Sequence, residues 1–375
     1  MKKLFSMALV VLTAALVNSV FAFAKYVDIT TTYTGGDVTD FPVLVKITTT
    51  TPTGFYSDVK NAGADLKFTD DSGNGDYPYE IDTWNASGDS YIWVKLPKLS
   101  AGMTFRMYYG DEGQTAPANP STDVWTGYDL VCHVNSNTDD TAVKDSSVNN
   151  LAGKLNAEAV LRNDGMVGAA YGMTVNNKGA AFANKMYNGG GTGGALDNVR
   201  FSYSFWVRRT AAMTQWKVFL GPKGAENSNA WGMSASTTDG SKMRVWSTNT
   251  AHEFTNSAGM PIGEWRKFDI VHDDATISVY VNGTAVASIS AESPRRDWID
   301  WVGWGGSTNN NNPPFGDHSE PCDFDECRFR ASVPDATRVA ADYQTVANVS
   351  TFLEFGDPQG GGPTVQVLPQ GVIVK

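Results

Sequence analysis

At 375 residues the chain has room for two ordinary domains. It is 41% hydrophobic and 18% charged, a globular rather than a disordered balance. Its formal net charge of −11 and pI near 4.8 lack the basic footprint that nucleic-acid binding requires. The 37 glycines, with frequent Thr, Ser and Asn, favour turns and strands over helices.

Residues 1–24 read as a secretory signal: Lys2 and Lys3 open it, Leu4 to Val17 form its apolar stretch, and Ala22-Phe23-Ala24 is a small-x-small cleavage site. No other segment approaches the length of a membrane span, so the expectation is a secreted or cell-surface protein with no span left after cleavage. Cys132, Cys322 and Cys327 would then meet an oxidising compartment, where an odd number of thiols allows at most one internal bridge.

From 25 to 117 the pattern has period two. Phe41, Val43, Val45 and Ile47 alternate with their neighbours, as do Ile92, Val94 and Leu96, and then Phe105, Met107 and Tyr109. Such alternation marks strands with one buried face, and Gly, Asn, Asp and Ser clusters between them mark turns. An antiparallel sandwich or barrel is predicted. The acidic loop from Asp70 to Asp76 lacks the spacing of an EF-hand and reads as a solvated hairpin turn. The blocks DFPVLVKI (Asp40 to Ile47), GADLKFTDDSG (Gly63 to Gly73), YEIDTW (Tyr79 to Trp84), YIWVKLP (Tyr91 to Pro97) and FRMYYG (Phe105 to Gly110) resemble, in order, domain of unknown function 2341. That resemblance implies an extracellular β-domain and carries no chemistry.

A short linker, 118–124, leads to a second module, 125–356, opening on VWTGYDLVCHVN. Asn282-Gly283 between alternating apolar residues is a type I′ hairpin signal. Pro334 can open a helix in which Val339, Tyr343 and Val346 recur at helical spacing, expected to pack on a sandwich edge. The opening segment, DSSVNN (Asp145 to Asn150), FSYSFWVRR (Phe201 to Arg209), GEWRKFDIVHD (Gly263 to Asp273), ISVYVNGTAVAS (Ile277 to Ser288) and FDECRFRASV (Phe324 to Val333) resemble a laminin-G-like, concanavalin A-like domain. The fold class expected is therefore all-β: two tandem antiparallel β-sandwiches, the second a laminin-G/concanavalin A-like jelly roll with one C-terminal helix. The same resemblance places Cys132 and Cys327 on neighbouring first and last strands and implies a disulfide between them. Cys322, five residues from Cys327, is the rival partner but would face the other side of a regular strand. It also matches Asp145 and Asn149 to turn residues that bind calcium in some such domains, although the turn supplies only part of a calcium shell and a purely structural turn is the favoured reading.

The jelly-roll fold is shared with glucanases, which need two carboxylates flanking one bond. In Asp323-Phe324-Asp325-Glu326-Cys327 the two aspartates share a face and Glu326 points away, so no such pair is expected and the chain is read as not an enzyme. His133 is expected to hydrogen-bond to Asp325 or Glu326 in a neighbouring strand. Trp298, Trp301 and Trp304, followed by a polar loop, are the candidate ligand site, since exposed indoles stack on sugars, with core packing as the competing reading. Beyond the Gly-rich break, within 357–375, Thr364 to Lys375 is β-prone and is expected to dock on its own module, fray, or add to a neighbouring molecule. The function expected is non-catalytic extracellular recognition of glycans or other surface polymers, with no cofactor unless calcium. A structural or assembly subunit of a surface appendage or matrix is the alternative, and a glycoside hydrolase the third.

Overall fold

The computed structural model describes residues 23–114, 120–134, 142–155, 159–173, 180–183, 200–213, 218–222, 232–247, 250–290, 301–304 and 321–360. The first module holds strands β1 (Lys25–Thr31), β2 (Val38–Ile47), β3 (Lys67–Asp70), β4 (Tyr79–Thr83), β5 (Ser90–Leu99) and β6 (Thr104–Tyr109), with a one-turn helix α1 (Phe55–Asp58). In β2 the apolar residues of the alternating set, Phe41, Val43, Val45 and Ile47, all enter one core with Ile92, Val94, Leu96, Phe105 and Met107, as period two predicts. At Asp70 the side chain accepts from the backbone N–H groups of Ser72 (2.9 Å) and Asn74 (2.7 Å), which is turn chemistry.

The second module is larger. Its strands are β7 (Leu130–Cys132), β8 (Ala142–Val143), β9 (Ala152–Leu155), β10 (Ala159–Arg162), β11 (Ala170–Met173), β12 (Ala180–Ala183), β13 (Arg200–Arg209), β14 (Val218–Pro222), β15 (Gly232–Ala235), β16 (Lys242–Ser247), β17 (Thr250–Thr255), β18 (Trp265–Asp273), β19 (Thr276–Val281), β20 (Thr284–Ser290), β21 (Trp301–Trp304) and β22 (Cys322–Arg330). They form two antiparallel sheets. One runs β10-β11-β22-β13-β18-β19-β20 with β7 beside β22, and the other β17-β16-β15-β14-β21-β12-β9-β8. Phe201, Tyr203, Phe205, Phe268, Ile270, Phe324 and Phe329 fill the space between them. The β19–β20 turn is as expected: Asn282 (φ 50°) and Gly283 (φ 75°) are both left-handed.

After β22 come α2 (Ala336–Ala347) and two short strands, β23 (Leu353–Phe355) and β24 (Gln359–Gly360). Asp335 caps α2, its carboxylate accepting from the Arg338 N–H at 2.7 Å, so Pro334 stands just before the cap. Two expectations change here. β23 and β24 pair with β1, so the end of the second segment returns to the first module's sheet, whose order is β23-β1-β6-β3. And α2 lies between the modules, not merely on a sandwich edge. Thr345 Oγ1 accepts from the Leu44 N–H (2.9 Å), and Arg338 donates to the carbonyls of Thr39 (2.8 Å) and Asp40 (3.0 Å), so α2 closes the open edge of β2. A bulkier residue at Gly283 is barred by the same helix: an added Cβ would lie 2.9 Å from the Tyr343 Cβ. Among the described residues no helix is long and apolar enough to cross a membrane.

Candidate functional site

The modules meet face to face. Leu44 and Trp93 project from the outer face of the sheet β2-β5-β4 and pack with Val124, Trp125, Tyr128, Val131, Trp206 and Val346 in one apolar cluster. Val124 and Trp125 stand at and just beyond the end of the expected linker, so that segment helps to form the junction. Alternation on β4 turns Glu80 and Asp82 to the same face. Both are buried here among charged groups of the second module.

Glu80 is the centre of this network. Its Oε2 accepts from Trp125 Nε1 (2.6 Å), and its Oε1 from Lys144 Nζ and Ser146 Oγ (both 2.7 Å). His133 stands with Nε2 3.4 Å from Glu80, Nδ1 2.8 Å from Glu326 Oε1 and Nδ1 3.8 Å from Asp82. The expected bond between His133 and the closing strand is therefore made, to Glu326. Arg328 lies over the rings of Trp93 (4.5 Å) and Trp125 (4.7 Å), and donates to Glu326 Oε2 (2.5 Å) and Asp342 Oδ1 (3.0 Å). Lys267 pairs with Asp342 (3.0 Å) and Asp269.

These contacts set the protonation states. Burial alone would raise Glu80, but His133 and Lys144 hold it down at about 2. Burial would lower His133, but Glu326 and Glu80 raise it to about 10, so it is an imidazolium. Asp82 goes the other way: burial, with Glu326 and Glu80 close by, raises it to about 7 against the pull of His133. Asp82, His133 and Glu326 each present a ligand atom within 4.8 Å of the others, the one such group among the described residues. In the geometry found, Nδ1 of His133 already takes Glu326, so the arrangement is an ion network that joins two modules.

A bulge in β22 explains why alternation misread the closing strand. Glu326 has φ 47°, and the β13–β22 register slips between Ser204 and Trp206. Asp325 Oδ2 accepts from the Val167 N–H (2.9 Å) and its Oδ1 from the Glu326 N–H (2.7 Å). Glu326 is thus brought to the junction beside Asp325 instead of facing away. The same slip puts Cys322 and Cys327 into one core, where unbroken alternation would place them on opposite faces.

The disulfide expectation is corrected. Cys132 and Cys327 are direct partners in the β7–β22 register, so the strands do neighbour one another, but the two are free thiols. Adjacency alone does not bring sulfur atoms to bonding geometry, and the Cys327 thiol instead donates to the Asp325 carbonyl at 3.8 Å. The calcium residues also differ from a cation site. Asp145 is buried and its oxygens accept from the N–H groups of Val131 (2.9 Å), Ser147 (2.8 Å) and Leu151 (2.9 Å) and from Ser147 Oγ (2.8 Å). Asn149 donates its amide to the Asp129 carbonyl (3.0 Å). With every Asp145 oxygen so occupied, the turn does not fit calcium. Trp298 lies outside the described residues. Trp301 and Trp304 bound β21, an interior strand paired with β12 and β14, and their side chains lie outside the described residues.

Glu80, Asp82, Trp93, Trp125, Lys144, Arg328 and Asp342 were not anticipated as site residues. Glu80 and Asp82 alternate with Tyr79 and Ile81 as a solvated strand face would, and nothing local distinguishes a face that meets water from one that meets another module.

Comparison with known proteins agrees with the order of modules. No curated protein matches the chain. Among solved structures it is similar to domain 4 of an extracellular arabinanase of Geobacillus stearothermophilus in complex with arabinotriose, at 18% identity and a TM-score of 0.43, over 57% of this chain and 97% of that one. It is similar also to a Trypanosoma rangeli sialidase in complex with sialic acid, at 14% identity and 0.46 over 74% of this chain, and to the botulinum neurotoxin serotype D binding domain, at 12% and 0.43 over 58%. The chain spans 43% of that sialidase and 51% of that binding domain. Residues 62–138 match domain of unknown function 2341, and residues 184–326 match the concanavalin A-like lectin/glucanases superfamily. The chain therefore carries a module of domain of unknown function 2341 followed by a concanavalin A-like one.

Proposed function

We propose that this chain recognises glycans outside the cytoplasm without cleaving them. One observation carries the non-catalytic part of the reading. The acidic run of β22 is walled in where the first module docks: Asp325 and Glu326 are buried, and Glu326 is tied to His133 and Arg328. A glycosidase needs two carboxylates open to the scissile bond of a polymer, and these two face a closed junction. The glycan part is supported by the match of residues 184–326 to a superfamily of lectins and glucanases. Secretion is supported by the signal-like residues 1–24. The test is a glycan array probed with the mature protein, beside an assay for sugar release from each ligand retained. Retention without release is the expected outcome, and release of reducing ends would overturn the reading.

A second reading, a structural subunit, is favoured by one feature. Among the described residues β20 ends its sheet as a seven-residue strand, an edge on which another chain can add. Thr364 to Lys375, the candidate added strand, lies outside the described residues. Light scattering on full-length and 361–375-deleted protein separates the two readings: monomers at high concentration in both cases leave recognition alone standing.

A further inference from the structure

Beside the junction, a small cleft of about 20 Å³ opens between α2 and the outer face of β13 and β22. Arg330, Arg338, Tyr128 and Ser202 line it, with Asp269 and Asp342 also in its wall. The acids have cationic partners of their own: Asp342 takes Arg328 and Lys267, and Asp269 takes Lys267 through Oδ1, its Oδ2 being buried without a hydrogen bond among the described residues. Arg338 is held by two backbone carbonyls. Arg330 is different. Its guanidinium lies 4.5 Å from the centre of the Tyr128 ring, its Nε is buried without an acceptor, and among the described residues it has neither a hydrogen bond nor an ion pair. Elsewhere in the molecule, by contrast, Arg208 donates to Asp323, and Arg106 to Asp28. A guanidinium offers five donors in a planar fork that matches a carboxylate or sulfate, and burying one without an acceptor is costly.

We propose that this cleft binds an anionic group, a carboxylate or sulfate, through Arg330 and the Tyr128 hydroxyl, and that the group is carried by an acidic saccharide. That the anion is borne on a sugar rests on the glycan reading above; that the cleft takes an anion does not. The surroundings agree. Burial lowers Arg330, together with Arg338 and Arg328, against partial opposition from Tyr128 and Asp342, so an anion relieves a crowded positive site. Burial would raise the Tyr128 phenol, yet Arg330, Arg338 and Arg328 outweigh it and hold it below its ordinary value, which makes its hydroxyl a better donor. On a chain of net charge −11, an unmatched guanidinium recessed in a cleft is a selective feature for an anion, because the surrounding field does not gather anions by itself.

The test is calorimetric titration of the mature protein at low ionic strength with three probes: sodium sulfate, an oligouronide, and a neutral oligosaccharide of the same length. Sulfate and the oligouronide are expected to bind and to compete. Arg330→Gln is expected to weaken both by about tenfold or more, the scale of a lost charge-assisted hydrogen bond. Without any anion the Gln variant is expected to melt no lower than the parent, since it removes an unmatched buried charge. Tyr128→Phe keeps the ring under the guanidinium and removes only the hydroxyl, so its weaker anion binding tests the same cleft independently of the Gln variant. Sulfate binding through Arg330 with neither oligosaccharide bound would leave the anion cleft standing and defeat the glycan reading there. Oligouronide binding untouched by both variants would do the reverse. No anion binding, or an anion-free melting point that falls in Arg330→Gln, would make Arg330 a packing residue and overturn the proposal.

Discussion

The interior of the second sandwich and the junction between the modules are both closed to water, and they are built on opposite terms. The sandwich interior is a two-sided layer, with Phe201, Phe205, Phe268 and Phe324 from one sheet and Phe219, Met243 and Val245 from the other, which needs only apolar volume at alternate positions. The junction buries Glu80, Asp82, His133, Asp325, Glu326, Arg328 and Lys267 among Trp93, Trp125 and Trp206. A buried charge tolerates few alternatives, because each group left without its partner is strongly destabilising. The core therefore supplies general stability, and the junction ties it to one relative placement of the modules.

Cutting the chain between 120 and 121 is the most severe way to break this comparison. The first fragment loses β23, β24 and α2, and both fragments expose the Trp93–Trp125 surface. Neither fragment is expected to elute as a folded monomer. Two soluble fragments whose circular dichroism sums to that of the parent would show that the junction is dispensable.

Next in size are two single substitutions. Phe205→Ala in the core should cost about 3–5 kcal/mol, nearly independent of pH. Glu80→Ala should cost about 3–5 kcal/mol as well, because the buried donors of Trp125 and Ser146 lose their acceptor and His133 and Lys144 lose one carboxylate. Denaturant melts across pH distinguish them. Glu80 has a lowered folded-state pKa, so its contribution is present above the ordinary Glu value and lost as pH falls toward about 2. The Glu80→Ala deficit should therefore shrink in acid, and the Phe205→Ala deficit should not.

Asp145→Ala should be milder, on the scale of about 1–3 kcal/mol for a buried donor left unsatisfied, since it strands the N–H groups of Val131, Ser147 and Leu151. Millimolar calcium should leave the melting temperature of the parent unchanged; a rise would restore this turn as a cation site.

The smallest effect sharpens the view of the junction itself. Asp82 has a raised folded-state pKa of about 7, so its contribution is present below the ordinary Asp value and lost as pH rises through 7. His133 acts in the same direction at higher pH, its contribution being lost as pH rises through about 10. Stability should then decline from mildly acidic to neutral pH in the parent, and Asp82→Asn should flatten the decline near neutrality. An unaltered profile in that variant would assign the pH dependence to another group.

Period two in 41–47, 92–96 and 105–109 was enough to identify the strands and their buried faces, because a strand with one apolar face must alternate and the requirement is local. Asn282-Gly283 was enough for its hairpin, because few residue pairs accept two left-handed conformations. The module order and the meeting of β7 with β22 followed from segments that resemble known domains. Tertiary structure alone decided the rest. Glu80 and Asp82 have the pattern of a wet strand face and become buried only when residues 125–133 and 322–342 pack against them, a contact between segments far apart in the chain. The bulge at Glu326 inverted the facing of every later residue in β22, and a non-glycine left-handed residue has no sequence signature. Arg330 has no acid partner among the described residues, because Arg328 and Lys267 pair with Asp342 of α2. Alternation is fixed by each residue's own backbone, whereas partnering is fixed by which distant surfaces meet.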